Sequence, residues 1–152
     1  MEAFLNKEVK AIICAIGGNT ANKTLKYLDF RKIKDNPKIF CGYSDISVLH
    51  YAILKKTNLS TFYGPCAMTQ FGEYPEPLKY TIEYFNKAIS GKIGKINPSN
   101  EWTDEVLDWR QKKDLERARK LEKNKQFEWL RKGNAKGRII GGCLPSIVHL
   151  IG

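Results

Sequence analysis

The residues best suited to chemistry lie in Lys38-Ile39-Phe40-Cys41-Gly42-Tyr43-Ser44-Asp45-Ile46-Ser47. A short apolar run breaks at Gly42, and Val48, Ala52 and Ile53 recur at roughly helical spacing beyond it. A buried strand is therefore expected to turn at Tyr43-Ser44-Asp45 and enter a helix over 47–56. A serine at such a corner stands above the sheet edge, and the N–H of the next residue, Asp45, faces the start of the helix. That pairing suits nucleophilic attack on a carbonyl, with the N–H stabilising the developing oxyanion. Position 46 is Ile46, where the G-x-S-x-G elbow has its second glycine, so the ordinary α/β-hydrolase pattern is a poor match. A serine at a strand–helix corner also serves as an N-cap. The corner alone leaves both roles open.

The corner needs a sheet to hold it. Ala11-Ile12-Ile13-Cys14-Ala15-Ile16 is a continuous apolar run of strand length, as suits a parallel strand covered on both faces. It ends at Gly17-Gly18-Asn19-Thr20, where adjacent glycines let the backbone approach a ligand and turn its N–H groups outward. A short helix is expected over 20–28, with Ala21, Leu25 and Leu28 on one side. Strand, glycine turn, helix, strand, serine corner and helix make a βαβα unit. Its ligands belong beyond the carboxyl ends of the strands, where both turns lie. Gly17-Gly18 has no third glycine at G-x-G-x-x-G spacing and no Walker lysine follows, so no dinucleotide or ATP site is expected.

Residues 60–65 read as another short strand, and 71–77 as a loop rich in Pro, Gly and aromatics. Pro77 is expected at the first position of a helix whose apolar face is Leu78, Ile82, Phe85 and Ile89, ended by Ser90-Gly91. Residues 94–100 are polar and read as the exit from the first domain. Trp102 and Trp109 then stand among Glu101, Asp104, Glu105 and Asp108. They are either a substrate-stacking loop or apolar anchors of a linker. Residues 137–144 read as a strand turning on glycines. The expected organisation is an α/β nucleophile-bearing domain over 1–95, a basic linker and substrate loop over 96–135, and the start of a C-terminal domain over 136–152. A domain that has just begun a new strand and helix should not stop there, so a piece of a longer protein is expected.

Composition sets bounds on the class. At 152 residues, 42% hydrophobic and 28% charged, this is a soluble globular chain. No run of 18 apolar residues occurs and the N-terminus lacks a signal-peptide pattern, so cytoplasmic residence without a membrane partner is expected. Cys14, Cys41, Cys66 and Cys143 form no C-x-x-C pair, so neither a metal site nor a disulfide framework is suggested. The net charge of +10 concentrates in 110–138, which holds twelve Lys/Arg against four Asp/Glu. That stretch is either a solvated connector or an anion-binding surface. The second reading gives the alternative function, a non-catalytic basic module for nucleic acid or another polyanion.

Taken in order, the motifs resemble the LD-carboxypeptidase and microcin C self-immunity family of serine peptidases. They are Ala15-Ile16-Gly17-Gly18-Asn19, Asn36-Pro37-Lys38-Ile39 leading to Gly42-Tyr43-Ser44-Asp45, Thr61-Phe62-Tyr63-Gly64-Pro65, and Phe71-Gly72-Glu73. Trp102-Thr103-Asp104-Glu105 with Trp109, and Gly137-Arg138-Ile139-Ile140-Gly141-Gly142, complete the series. The Phe-Tyr-Gly-Pro segment and the tryptophan loop are most similar to the microcin-immunity branch. The resemblance implies a Rossmann- or flavodoxin-like parallel-sheet N-terminal domain, here incomplete, followed by the start of a β-rich C-terminal domain. It implies Ser44 as nucleophile, with an oxyanion hole from the backbone of Asp45 and of the Gly17-Gly18 turn. Trp109, Trp102 and Tyr63 would contact substrate, Trp109 by stacking on an adenine. The substrate would be a murein L,D-peptide or a peptidyl-adenylate, with no cofactor, no metal and no nucleic-acid partner; a homodimer stays open. The family's catalytic glutamate and histidine lie in its C-terminal domain, and neither His50, His149, Glu73 nor Glu105 matches them, so these residues alone are expected to be inactive. Cys143 stands where the family motif Gly-Gly-Asn-Leu has asparagine.

Overall fold

The computed structural model describes residues 1–151, which fall into two units. The first comprises Met1–Phe71 with the residues from Ile140 on, and the second Gly72–Ile139.

The first unit carries a three-stranded parallel sheet in the order β1 (Ala11–Ile13), β2 (Ile39–Gly42), β3 (Phe62–Tyr63). Ala11 sits opposite Ile39 and Ile13 opposite Cys41; Cys41 then pairs with Phe62 and Gly42 with Tyr63. β2 is thus the central strand, and its carboxyl end delivers Tyr43-Ser44-Asp45. Around the sheet lie α1 (Glu2–Leu5), α2 (Ala21–Thr24), α3 (Phe30–Asp35) and α4 (Ser47–Thr57); α5 (Lys79–Ile89) belongs to the second unit, and α6 (Leu144–Val148) returns to the first. The core is Phe4, Ile33, Phe40 and Ile53, one residue each from α1, α3, β2 and α4. Phe4 stacks on Phe40 at 6.2 Å between ring centroids. α4 ends at Asn58 in the left-handed conformation (φ 60°), whose N–H returns to Leu54 O at 2.9 Å, and Lys55 and Lys56 suit the negative end of the helix.

Several expectations are corrected. The helix expected over 20–28 is one α-turn, α2, followed by a 3-10 turn at Leu25–Tyr27. α3 was not expected, because six residues with apolar groups only at Phe30 and Ile33 carry too little periodicity. Its signal is the N-cap Asp29, whose Oδ1 accepts from Lys32 N at 3.0 Å. Pro77 is not the first helical residue: Leu78 precedes α5, which opens at Lys79. The strand expected over 137–144 does not form. Residues 137–143 are irregular and lead into α6, and among the described residues no strand follows residue 135. A strand needs a neighbour to take its backbone hydrogen bonds, and Ile139 is 99% exposed.

The second unit is built on α5, where the apolar positions 82, 85 and 89 are half-buried. The Tyr80 hydroxyl donates to Asn97 O at 2.6 Å, and Asn97 N–H donates to the Tyr84 hydroxyl at 2.7 Å, fixing the chain that follows the helix. A two-stranded antiparallel ribbon joins β4 (Glu101–Trp102) to β5 (Glu122–Lys123).

Ile33 is fully buried in the first core. Ile33→Ala is expected to lower the stability of the full-length protein by about 2–5 kcal/mol, read from the midpoint of urea unfolding at unchanged m.

Candidate active site

Ser44 adopts φ 58°, the left-handed region that a residue with a side chain seldom enters. Both its peptide groups are held by hydroxyls. Its N–H donates to the Tyr63 hydroxyl at 3.2 Å, and its carbonyl accepts from Ser47 Oγ at 2.6 Å. The cap role weighed for this serine is not taken, since neither the 3-10 turn Ser44–Ile46 nor α4 has a side-chain cap bond. Gly17 lies directly against it. A Cβ at Gly17 would stand 2.6 Å from Ser44 Cβ and 2.9 Å from Ser44 Oγ, so no larger residue fits there.

Asp45 ties the two turns together. It is buried, and its Oδ2 accepts the Ala21 N–H at 2.8 Å, at the start of α2. This carboxylate satisfies one of the free donors at the helix end and lies near the helix dipole's positive pole. Its backbone N–H has no protein acceptor among the described residues. Gly17, Gly18, Ser44, Asp45 and Tyr63 are therefore neighbours at the carboxyl ends of β1, β2 and β3.

The segment after residue 140 returns to this corner. Cys143 N–H donates to Ser47 Oγ at 2.8 Å. Hydroxyls of Ser146 and Ser44 reach the Cys143 thiol and, with the Ser146 backbone, hold its pKa below the ordinary value. The other cysteines are protonated thiols within the fold. Burial pushes Cys14 up to about 11 and Cys41 to about 12, and raises Cys66 as well.

His50 is near the corner in sequence, but its ring is fully engaged. Nε2 lies 2.9 Å from Gly42 O, and Nδ1 lies 2.8 Å from Thr61 Oγ1. A carbonyl can only accept, so Nε2 carries the proton and Nδ1 accepts from the threonine hydroxyl. Burial lowers the His50 pKa against the raising effect of the Gly42 bond, which keeps the ring neutral. His149 caps the far end of α6.

Trp102 and Trp109 lie in the second unit, both partly exposed. The carboxylates beside them are used locally. Arg117 binds Glu105 through both oxygens, at 2.6 and 3.0 Å, and Lys120 N–H adds a bond at 2.8 Å. The Arg117 guanidinium is the main reason the Glu105 carboxyl is drawn down to about 2. Arg119 pairs with Glu73 and donates to Glu105 O at 2.9 Å. Two cations of the basic stretch are thus committed within the unit. Among the described residues no cluster of His, Cys, Asp and Glu could hold a metal, and no helix is long and apolar enough to cross a membrane.

Ser47 was missed by the reading of the sequence. Its signal is a polar residue at the first position of an otherwise apolar helix face, one turn past the candidate nucleophile.

Residues 1–64 match the family model of the LD-carboxypeptidase N-terminal domain. Over 99% of its length the chain is 38% identical to 44% of the Microcin C7 self-immunity protein MccF of Escherichia coli. It is 41% identical, again over 99% of itself and 44% of the relative, to the putative carboxypeptidase YocD of Bacillus subtilis. The solved structure of MccF in complex with aspartyl sulfamoyl adenosine aligns with a TM-score of 0.83 at 35% identity, covering 99% of this chain and 45% of that one. The chain spans less than half the length of these relatives.

Two outcomes follow from this geometry. Gly17→Ala should slow covalent labelling of Ser44 by a fluorophosphonate about 100-fold, because the added methyl displaces Ser44 Oγ. The second concerns His50. An unfolded imidazole titrates near 6.5 and the buried one below it, so the unfolded chain takes the proton first. Stability should be full above about pH 6.5 and fall as the pH drops through the window beneath it. The urea midpoint should show this slope in wild type and lose it in His50→Gln.

Proposed function

The chain belongs to the LD-carboxypeptidase family, which includes the microcin C self-immunity proteins, and we propose that its protein is a serine-type carboxypeptidase acting through Ser44. The bond cut is an amide in a small peptide conjugate. Ser44 Oγ attacks the carbonyl carbon and loses its proton to a base, giving a tetrahedral oxyanion. The Asp45 N–H and an N–H of the Gly17-Gly18 turn receive that charge. The amine then leaves with a proton, and water releases the acyl group from Ser44. The observation carrying this reading is the left-handed Ser44 at the carboxyl end of the central strand, with a glycine packed on its Oγ.

The base is assigned outside the described residues. His50 is neutral and its one lone pair, on Nδ1, already accepts from Thr61, so it cannot take the serine proton without giving up that bond. By the family resemblance, a glutamate and a histidine supply this function. A serine without such a base is a weak nucleophile.

Of the two substrate classes, a peptidyl-adenylate fits better. MccF is solved with an aspartyl sulfamoyl adenosine, and 99% of this chain aligns with 45% of that structure. Trp109 offers an indole face for the nucleobase, worth about 1–3 kcal/mol by stacking. Trp102 and Tyr63 are the further substrate contacts in this reading. The polyanion-binding alternative is weakened, because Arg117 and Arg119 already pair with Glu105 and Glu73.

The test is mass spectrometry of the full-length protein after exposure to a fluorophosphonate. A single adduct on Ser44, absent from Ser44→Ala, is the expected result, together with hydrolysis of a peptidyl-adenylate and none by Ser44→Ala. An intact, folded protein that neither labels nor cleaves a peptidyl-adenylate or a murein L,D-peptide would sink the proposal.

A further inference from the structure

Ser47 is fully buried, and its hydroxyl sits between two backbone groups that are far apart in sequence. It donates to Ser44 O at 2.6 Å and accepts from Cys143 N at 2.8 Å. A hydroxyl has one proton to give and lone pairs to receive, so a single oxygen serves both bonds and each strengthens the other. The far partner is shaped to reach it. Gly142 has φ 154°, and a Cβ there would lie 2.6 Å from Ser47 Oγ, so the chain passes close enough only as glycine.

Ser44 needs outside support because its left-handed conformation is strained for a residue with a side chain. Tyr63 holds its N–H and Ser47 its carbonyl. Tyr63 reaches in from the neighbouring strand. Ser47 belongs to the helix that Ser44 introduces, and its hydroxyl carries the link onward to the backbone of residues 142–143.

We propose that Ser47 is a positioning residue for Ser44, coupling the reactive pose of the nucleophile to the docking of Gly142-Cys143. This rests on the peptidase reading above for its effect on reactivity, but the coupling itself is open to an independent test. When the segment is docked, the Ser47 proton points at Ser44 O and the corner is fixed. When it leaves, Ser47 loses its donor partner and is free to rotate, and the Ser44 carbonyl loses the hydroxyl that holds it beside the Ser47 backbone N–H.

The experiment uses the full-length protein with wild type, Ser47→Ala, Ser47→Thr and Gly142→Ala. Two rates are followed: fluorophosphonate labelling of Ser44, resolved into its maximal rate and its half-saturating concentration, and alkylation of Cys143 by iodoacetamide. In Ser47→Ala the maximal labelling rate should fall about tenfold or more with the half-saturating concentration unchanged, the size expected when buried partners are left unpaired. Cys143 should alkylate faster in the same protein, while buried Cys41 and Cys66 stay unmodified. Ser47→Thr keeps the hydroxyl and should recover both rates. Gly142→Ala breaks the contact from the other side and should repeat the alanine pattern, which keeps the test decisive even where Ser47→Ala fails to fold. Wild-type rates of both reactions in folded Ser47→Ala would overturn the proposal, as would failure of the threonine variant to rescue. Should wild type neither label at Ser44 nor cleave a peptidyl-adenylate or a murein L,D-peptide, the peptidase reading fails, and the Cys143 rates alone decide whether the coupling exists.

Discussion

The first unit depends on keeping one residue in a conformation it would not choose. Ser44 at φ 58° costs on the order of 1–3 kcal/mol, and a serine gains nothing locally in return. The surroundings must therefore over-determine the corner. They do so with neutral hydrogen bonds: a phenol on the N–H, a buried hydroxyl on the carbonyl, and a glycine pressed against the side chain. The parallel sheet makes this possible. Gly42 pairs with Tyr63 in register, and that pairing brings the Tyr63 ring to the corner as β2 ends. A one-residue slip would point Tyr63 to the opposite face and leave the Ser44 N–H without its acceptor.

Charge is used sparingly at the corner. The Asp45 carboxylate is spent on the start of α2, where it fixes the Gly17-Gly18 turn relative to Ser44. Its side chain thus has a structural task, which leaves its backbone N–H for the oxyanion of the proposed reaction. His50 shows the same division. It packs edge-on against Phe40 at 5.5 Å and Tyr63 at 6.0 Å, and it bonds the Gly42 carbonyl from below the corner. A neutral buried imidazole stiffens the end of β2, whereas a charged one there would meet aromatic rings and no carboxylate.

What the sequence made legible follows from how local each signal is. β1, β2 and α4 announce themselves through apolar runs and glycine breaks, and the Ser44 corner follows from their order. α3 hides because a six-residue helix shows barely one turn of periodicity, and its stability comes from Ile33 reaching the core rather than from propensity. The segment 137–143 errs the other way. Its Ile139-Ile140 pair has strand character, yet strand character without a partner strand leaves an irregular chain. Ser47 was illegible for a different reason. Its neighbours in space are Ser44, three residues away, and Cys143, ninety-six residues away, and no local pattern predicts the second.

The basic stretch gives the same lesson in electrostatic form. A run with twelve cations against four anions suggests a surface waiting for a polyanion. Yet the carboxylates that matter lie outside the run. Glu105 precedes it by five residues, and Glu73 lies still further upstream. Glu105 gathers Arg117, the Arg119 side chain and the Lys120 backbone, and Glu73 takes the Arg119 head group. Guanidinium forks suit such work because they bind a carboxylate through two parallel bonds. Arg117 and Arg119 therefore tie the basic stretch to residues 73 and 105 of its own unit. Counting charge within a window overstated the free positive surface because a loop's counter-ions need not be its sequence neighbours.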